Sequence, residues 1–148
     1  MQTRIRYFFL VAGLLLGVPG RAEQWFAVAS PGVDGRGTHV EVDLDTVRAR
    51  GRGGEGAIRV TFDLLRPHSA GFRYRSFVAH AQFDCQRHRI TLASADYFSQ
   101  ASGKGTLLGA DTASSEVGVP TAVLDSMPAS SRRALLRATC ATTRSAAS

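Results

Sequence analysis

Apolar and polar residues alternate with a period of two along much of the chain, which is the pattern of a β-strand with one buried face. A short apolar segment, residues 25–29, precedes these runs, and Pro67 ends the second of them because proline removes a ladder hydrogen bond. The pattern predicts an antiparallel sheet. The expected inward-facing residues are, run by run, Val40, Val42 and Leu44; Ile58, Val60, Phe62 and Leu64; Phe77, Ala79, Ala81, Phe83 and Cys85; and Ile90 and Leu92.

Two aromatic residues depart from this alternation. Tyr97 matches the face opposite to Ile90 and Leu92, which predicts a bulge near Ser94. Tyr74 falls on the face opposite to Phe77 and is therefore expected to point away from the core.

The connections are predicted from glycine, proline and polar residues. Residues 50–56 are rich in glycine and arginine, which predicts a flexible loop. Residues 86–88 are expected to form a hairpin connection, and residues 103–105 a turn before a short strand at 106–108. Asp45 is a candidate cap for a short turn at residues 46–48.

A helix is predicted near the end of the chain. Pro128 suits a first helical turn, and Ser126 is a plausible cap before it. Ala129, Leu136 and Cys140 share an apolar arc bordered by Leu135. The sequence thus predicts an α+β fold, a single antiparallel sheet of about six strands with a C-terminal helix packed on it, and residues 141–148 are expected to be a flexible tail.

The first 22 residues have the features of a secretory signal peptide. Arg4 and Arg6 precede an apolar run of about a dozen residues, which is too short to span a bilayer. Gly20 and Ala22 put small side chains where signal peptidase needs them, so cleavage is expected after Ala22. A retained membrane anchor is the alternative. Cleavage would leave a single domain at residues 23–140, with no membrane segment, in the periplasm or outside the cell.

The two cysteines, Cys85 and Cys140, are then expected to form a disulfide, which is the simplest state of an even number of cysteines in an exported chain. The bond would fasten the C-terminal helix to a central strand. A metal site is the poorer alternative, because two cysteines without companion ligands cannot fill a tetrahedral site.

Removal of the signal peptide also reduces the charge. Three of the 18 basic residues lie in it, so 15 remain against 12 acidic ones and the net charge falls from +6 to about +3. This balance gives little reason to expect a nucleic-acid partner.

No catalytic motif is recognised in the sequence, and we expect neither an enzyme nor a cofactor. Asp43 and Asp45 could form a carboxylate pair, but a calcium loop needs more ligands. The four histidines are expected on polar faces or at turns. Arginines are the remaining candidates for a surface that binds an anionic partner, with a solvated face as the alternative: Arg73, Arg75, Arg132, Arg133 and Arg137, and the turn residues Arg87, His88 and Arg89.

The order of these features resembles the bacterial surface-adhesin E family. The resemblance covers roughly residues 25–140 and is carried by short segments in order: Trp25, residues 40–47, Asp84 and Cys85, Tyr97, residues 127–131, and Cys140. The resemblance implies a fold with a six-stranded antiparallel sheet and a C-terminal helix. It also implies a protein that is often dimeric and that acts by binding other proteins and not by catalysis. The adhesin for which the family is named is tethered by a lipid on its N-terminal cysteine, and this sequence has no cysteine there.

Two hypotheses follow. The first is an exported, non-catalytic binding protein that engages host matrix or envelope proteins through an exposed sheet edge or the basic helix. The second is a soluble periplasmic accessory domain of an envelope complex, with no host partner. The partner is expected to be a protein in both cases, and a homodimer stays open.

Overall fold

The computed structural model describes residues 23–29, 37–113 and 121–145. The expected signal peptide and its cleavage site lie outside these ranges. Seven strands form one antiparallel sheet in the order β1-β2-β4-β5-β6-β7, with the short β3 paired to β4. The strands are β1 (Trp25–Ala29), β2 (Thr38–Asp43), β3 (Arg48–Arg50), β4 (Gly53–Pro67), β5 (Arg73–Asp84), β6 (Arg89–Phe98) and β7 (Leu107–Thr112).

The predicted α+β class is confirmed. A 17-residue helix, α2 (Ala129–Ser145), packs across one face of the sheet and contacts β1 to β6. Its buried residues include Leu135, Leu136 and Cys140, which join the core formed by the inward face of the strands. A five-residue helix, α1 (Thr121–Asp125), precedes it and was not predicted; it contributes the buried Val123 and Leu124.

The ends of α2 differ from the prediction. Ser126 does not cap it, because the Ser126 hydroxyl donates instead to the Val123 carbonyl at the end of α1, at 2.5 Å. Ala129 is exposed rather than part of the apolar arc. The helix also continues to Ser145 with Thr143 buried, so residues 141–145 extend the packed helix beyond the predicted start of the tail.

The bulge predicted near Ser94 is confirmed. His80 pairs with Ser94 while the next residue, Ala81, pairs with Leu92, so Ala93 is an extra residue in β6. The extra residue brings Leu92 and Tyr97 to the same buried side of the sheet.

A second irregularity, in β4, overturns two predictions. Thr61 pairs with Ser76, whereas the next pair in the ladder is Arg66 with Tyr74, so several residues of β4 leave the regular pairing. Leu64 lies in this stretch and is 75% exposed rather than buried. Tyr74, expected to face away from the core, is buried, and its ring lies 6.0 Å from that of Phe62.

Two regions next to strands also differ from the prediction. Residues 53–56 belong to β4 rather than to a loop, because their glycines allow neighbouring groups to approach closely: a Cβ on Gly54 would lie 2.5 Å from Thr143 Cγ2 of α2. Leu44 leaves the strand for a 3-10 helix, Leu44–Thr46, and is partly exposed. The cap of that helix is Asp43, which accepts from the Asp45 amide at 3.1 Å, and not Asp45 itself.

An aromatic cluster fills the end of the core near the β4–β5 connection. The Tyr97 hydroxyl donates to Asp111 Oδ2 at 2.8 Å, and His68 Nε2 lies 3.0 Å from the same oxygen. His68 Nδ1 accepts from the Ala70 amide, which leaves Nε2 as the donor to Asp111. His68 lies at the β4–β5 turn, as expected, but its side chain is only 10% exposed and stacks on Phe72 at 4.4 Å, so this histidine packs against the aromatic cluster.

Alkaline pH is expected to destabilise the fold through this cluster. Burial raises the pKa of the Tyr97 hydroxyl, and the neighbouring Asp111 raises it further; burial also raises the pKa of Tyr74. Because the folded pKa exceeds the unfolded value of about 10, the neutral tyrosine contributes stability that is complete below about pH 10 and is lost as the pH rises above it. The free energy of unfolding in urea should therefore be flat from about pH 8 to 9.5 and fall beyond pH 10.

The variant Tyr97→Phe tests the origin of this loss. Only one lysine is present in the chain, so the tyrosines dominate titration in this range. The variant should be less stable at neutral pH because Asp111 loses a hydrogen bond, but its alkaline loss should be smaller than that of the wild type. An identical fall in the two proteins would contradict the assignment to Tyr97.

Candidate functional site: a basic cleft beside α2

A cleft of about 990 Å³ runs along one flank of α2. Its opposite wall is formed by the β3–β4 turn and by the turn that follows β5. Apolar residues lie along it, among them Val28 of β1, Ala49 of β3 and Leu136 of α2, together with Cys85 and Cys140. The cleft therefore offers an apolar surface of a size that suits a ligand or a segment of another protein.

The predicted disulfide is present and holds the two walls together. Cys85 and Cys140 are bonded, with their Cα atoms 5.8 Å apart. Cys85 directly follows β5, and Cys140 lies in the second half of α2. The bond therefore fixes the flank of the helix relative to the turn that faces it.

Arginines dominate the charge of the cleft. Arg133 and Arg137 lie one helical turn apart on the flank of α2, Arg144 lies further along the helix, and Arg52 faces them from the β3–β4 turn. Among the described residues that line the cleft there is no aspartate or glutamate. The cleft thus combines an apolar surface with several positively charged side chains.

The local contacts of Arg133 and Arg137 leave their charges available. Arg133 Nε donates to the Ala129 carbonyl at 3.4 Å, a neutral acceptor. Arg52 Nη1 donates to the Gln86 side-chain oxygen at 3.3 Å, and the Arg52 charge also helps to lower the pKa of Asp84. Within the described part of the chain, neither Arg133 nor Arg137 forms an ion pair. Like charges one turn apart on a helix repel each other by a few tenths of a kcal/mol, and an anion between them relieves that cost.

The other predicted arginines lie elsewhere. Arg132 forms an ion pair with Asp125 of α1 at 3.0 Å. Arg73 and Arg75 lie at the opposite end of β5 from Cys85, about 36 Å away at 3.3 Å per residue. Arg75 Nε donates to the Phe62 carbonyl at 2.9 Å. Of the five predicted residues, the structure brings only Arg133 and Arg137 together.

The turn arginines extend the positive charge around the same end of the sheet. A second, smaller cleft of about 340 Å³ is lined by Arg50, Arg52, Arg87 and Arg89, and it shares Arg52 with the first. Arg50 is paired with Glu55, and Arg87 lies 3.9 Å from Asp84. We call the cleft beside α2 the basic cleft, and we call that cleft together with this second one the basic end.

Sequence reasoning missed Arg52, although its signal was present. Arg52 lies in the stretch of glycine and arginine that was expected to be a flexible loop. In the structure only Gly51 and Arg52 of this stretch connect β3 to β4, and this tight turn places Arg52 opposite the helix. The turn residue His88, which was a candidate, also lines the basic cleft.

The sheet face away from α2 carries a second group of charged residues. Arg59 Nε and Nη2 donate to the two carboxylate oxygens of Glu41 at 2.7 and 2.8 Å, and the guanidinium carbon lies 4.3 Å from the centre of the Trp25 ring. The hydrogen bonds from Arg59 lower the pKa of Glu41 despite its partial burial. These charges compensate each other, so this group joins β1, β2 and β4 and presents no unpaired charge to a partner.

No three histidine, cysteine, aspartate or glutamate side chains in the described ranges converge on a point where a metal ion could bind. None of the helices in those ranges has the length and hydrophobicity needed to cross a membrane.

The fold defines a class of small α+β domains in which a disulfide links a C-terminal helix to the end of a central strand. The chain belongs to the surface-adhesin protein E family, whose model matches residues 25–141. This match confirms the resemblance drawn from the sequence and supports an adhesin-like role. No curated protein and no solved structure shows significant similarity to the chain.

Proposed function

We propose that this protein is an exported, non-catalytic binding protein that engages another protein through the basic end of its sheet. The observation that carries the proposal is the clustering of Arg52, Arg133 and Arg137 around an apolar cleft whose described lining has no acidic residue. Such a surface attracts an acidic partner and speeds the encounter with it. Membership of the surface-adhesin protein E family and a disulfide that persists in an oxidising compartment support this role.

Cross-linking in the cells that produce the protein tests this proposal. A photoreactive amino acid at Ser130, which lines the cleft, leaves every arginine in place. The matched control is the same substitution at Thr142, an exposed residue of the same helix outside the cleft. We expect a covalent adduct with another protein from position 130 and none from position 142. Adducts from position 142 alone, or from neither position, would contradict the proposal.

The location of the protein separates the two roles considered for it. If it acts as an adhesin on host matrix proteins, protease added to intact cells should degrade it. If it serves an envelope complex inside the outer membrane, it should be protected until the membrane is opened. The basic end is the proposed contact surface in both roles.

A further inference from the structure

The basic cleft has features that suit an extended peptide segment, in addition to its positive charge. Its positive charges are spread along its length: Arg133 and Arg137 are about 6 Å apart along the helix axis, at 1.5 Å per residue, and Arg52 stands on the other wall. A ligand with a single anionic group could use only one of these positions. The cleft therefore favours a ligand that carries several anionic groups in a row.

The spacing of the two helix arginines matches that of an extended chain. Alternate side chains of a strand point the same way and are about 6.6 Å apart, which is close to the rise of one helical turn between Arg133 and Arg137. Acidic side chains at every second position of a strand could therefore meet both guanidinium groups. The residues between them would point away from these two arginines, towards the rest of the cleft lining.

The apolar part of the cleft lining decides what those intervening residues should be. Val28, Ala49, Leu136 and the two disulfide-bonded cysteines contribute this apolar surface. Burial of apolar side chains there contributes about 25 cal/mol per Å² removed from water, whereas polar residues would lose hydrogen bonds to water without replacement. A sulfated polysaccharide would satisfy the arginines but leave this surface uncovered.

We infer that the basic cleft binds an extended segment of a partner protein in which acidic residues alternate with apolar ones. The inference rests on the proposed function and specifies its partner: the acidic side chains pair with Arg133 and Arg137, and the apolar side chains pack against the apolar part of the lining. The charge complementarity of the cleft is the ground for choosing this occupant over an uncharged segment or a second copy of the chain.

Three end-blocked nine-residue peptides labelled with a fluorophore test the two requirements separately. The first alternates aspartate with leucine, the second asparagine with leucine, and the third aspartate with serine. By fluorescence anisotropy at 0.15 M salt, the first should bind the disulfide-bonded protein at least tenfold more tightly than the others. Equal binding of the first two peptides would show that the cleft does not require acidic residues in its ligand. Equal binding of the first and third would show that it does not require apolar residues. Either result would overturn the inference.

Two double variants test the location of the site. Arg133→Glu with Arg137→Glu should weaken binding of the aspartate–leucine peptide more than tenfold, since both exposed side chains lie on the cleft. Arg73→Glu with Lys104→Glu changes the net charge equally at exposed positions outside the cleft, and its affinity should stay within twofold of the wild type. Equal losses in the two variants would show a general charge effect and overturn the assignment.

The outcome is distinguishable from that of the proposed function. If position 130 cross-links to a partner in cells but the aspartate–leucine peptide does not bind, the binding role stands and the inferred ligand is wrong. If the peptide binds and no partner is cross-linked at position 130, the cleft chemistry stands and the proposed role is wrong.

Discussion

Replacement of both cysteines, Cys85→Ala with Cys140→Ala, should lower the free energy of unfolding by about 4 kcal/mol. The bond joins residues 55 positions apart. Closing a loop of that length removes conformational entropy from the unfolded chain and raises its free energy by about this much. Total stabilities of small domains are about 5–15 kcal/mol, so the variant should approach marginal stability. The loss is measured by urea unfolding of the variant and the wild type under the same conditions.

Reduction of the wild-type protein provides the control for this prediction. The reduced wild type should have nearly the stability of the double variant, because both lack the same constraint. The flank of α2 should also become mobile relative to the turn after β5, which would weaken peptide binding in the basic cleft. A loss of stability below about 1 kcal/mol would show that the disulfide does not stabilise the contact between helix and sheet as described.

Gly53→Ala should destabilise the protein by about 2–4 kcal/mol, although it adds a single methyl group. The φ angle of Gly53 is not positive, so the cost is steric: a Cβ at this position would lie 1.7 Å from the carbonyl oxygen of Phe83 in β5. Because that oxygen belongs to the backbone, β4 must move away from β5. Thermal or urea unfolding of the variant measures the cost.

Gly51→Asn is the matched control, two residues earlier in the same segment. Gly51 has a φ of +54°, which asparagine tolerates better than most residues, and nothing lies within 4 Å of an added Cβ. This variant should lose less than about 1 kcal/mol. Equal losses at positions 51 and 53 would contradict the close approach of β4 to β5.

Local patterns were sufficient to predict the regular parts of the fold. In β5 a single face is buried, so buried residues alternate with exposed or partly exposed ones: Phe77, Ala79, Ala81 and Phe83 are buried. Such an alternation can be read from the sequence alone. The bulge near Ser94 was also predictable, because Tyr97 broke the period set by Leu92. In both cases the residues that reveal the structure are neighbours in sequence.

The errors occur where the partner is distant in sequence. Gly53 and Gly54 look like loop residues, and only Phe83 and Thr143 show that they are strand residues at a close contact. Leu64 is exposed because of how β4 pairs with β5, which no local pattern records.

The candidate site was predicted in part for the same reason. The spacing of Arg133 and Arg137 placed them on one helix flank, whereas the position of Arg52 opposite them depends on the β3–β4 turn and on the disulfide. Arg73 and Arg75 are also closely spaced arginines in the sequence, but they lie at the far end of β5. Composition alone does not distinguish arginines that line a cleft from arginines that are solvated.

The most direct test of the basic cleft as the binding surface is an NMR titration of ¹⁵N-labelled protein with the aspartate–leucine peptide. Amide chemical shifts should change along the flank of α2 around Arg133 and Arg137 and, across the cleft, at Arg52 and the turn after Cys85. Shifts confined to the far end of β5 around Arg73, or to the exposed edge of β1 around Phe26, would contradict binding in the basic cleft.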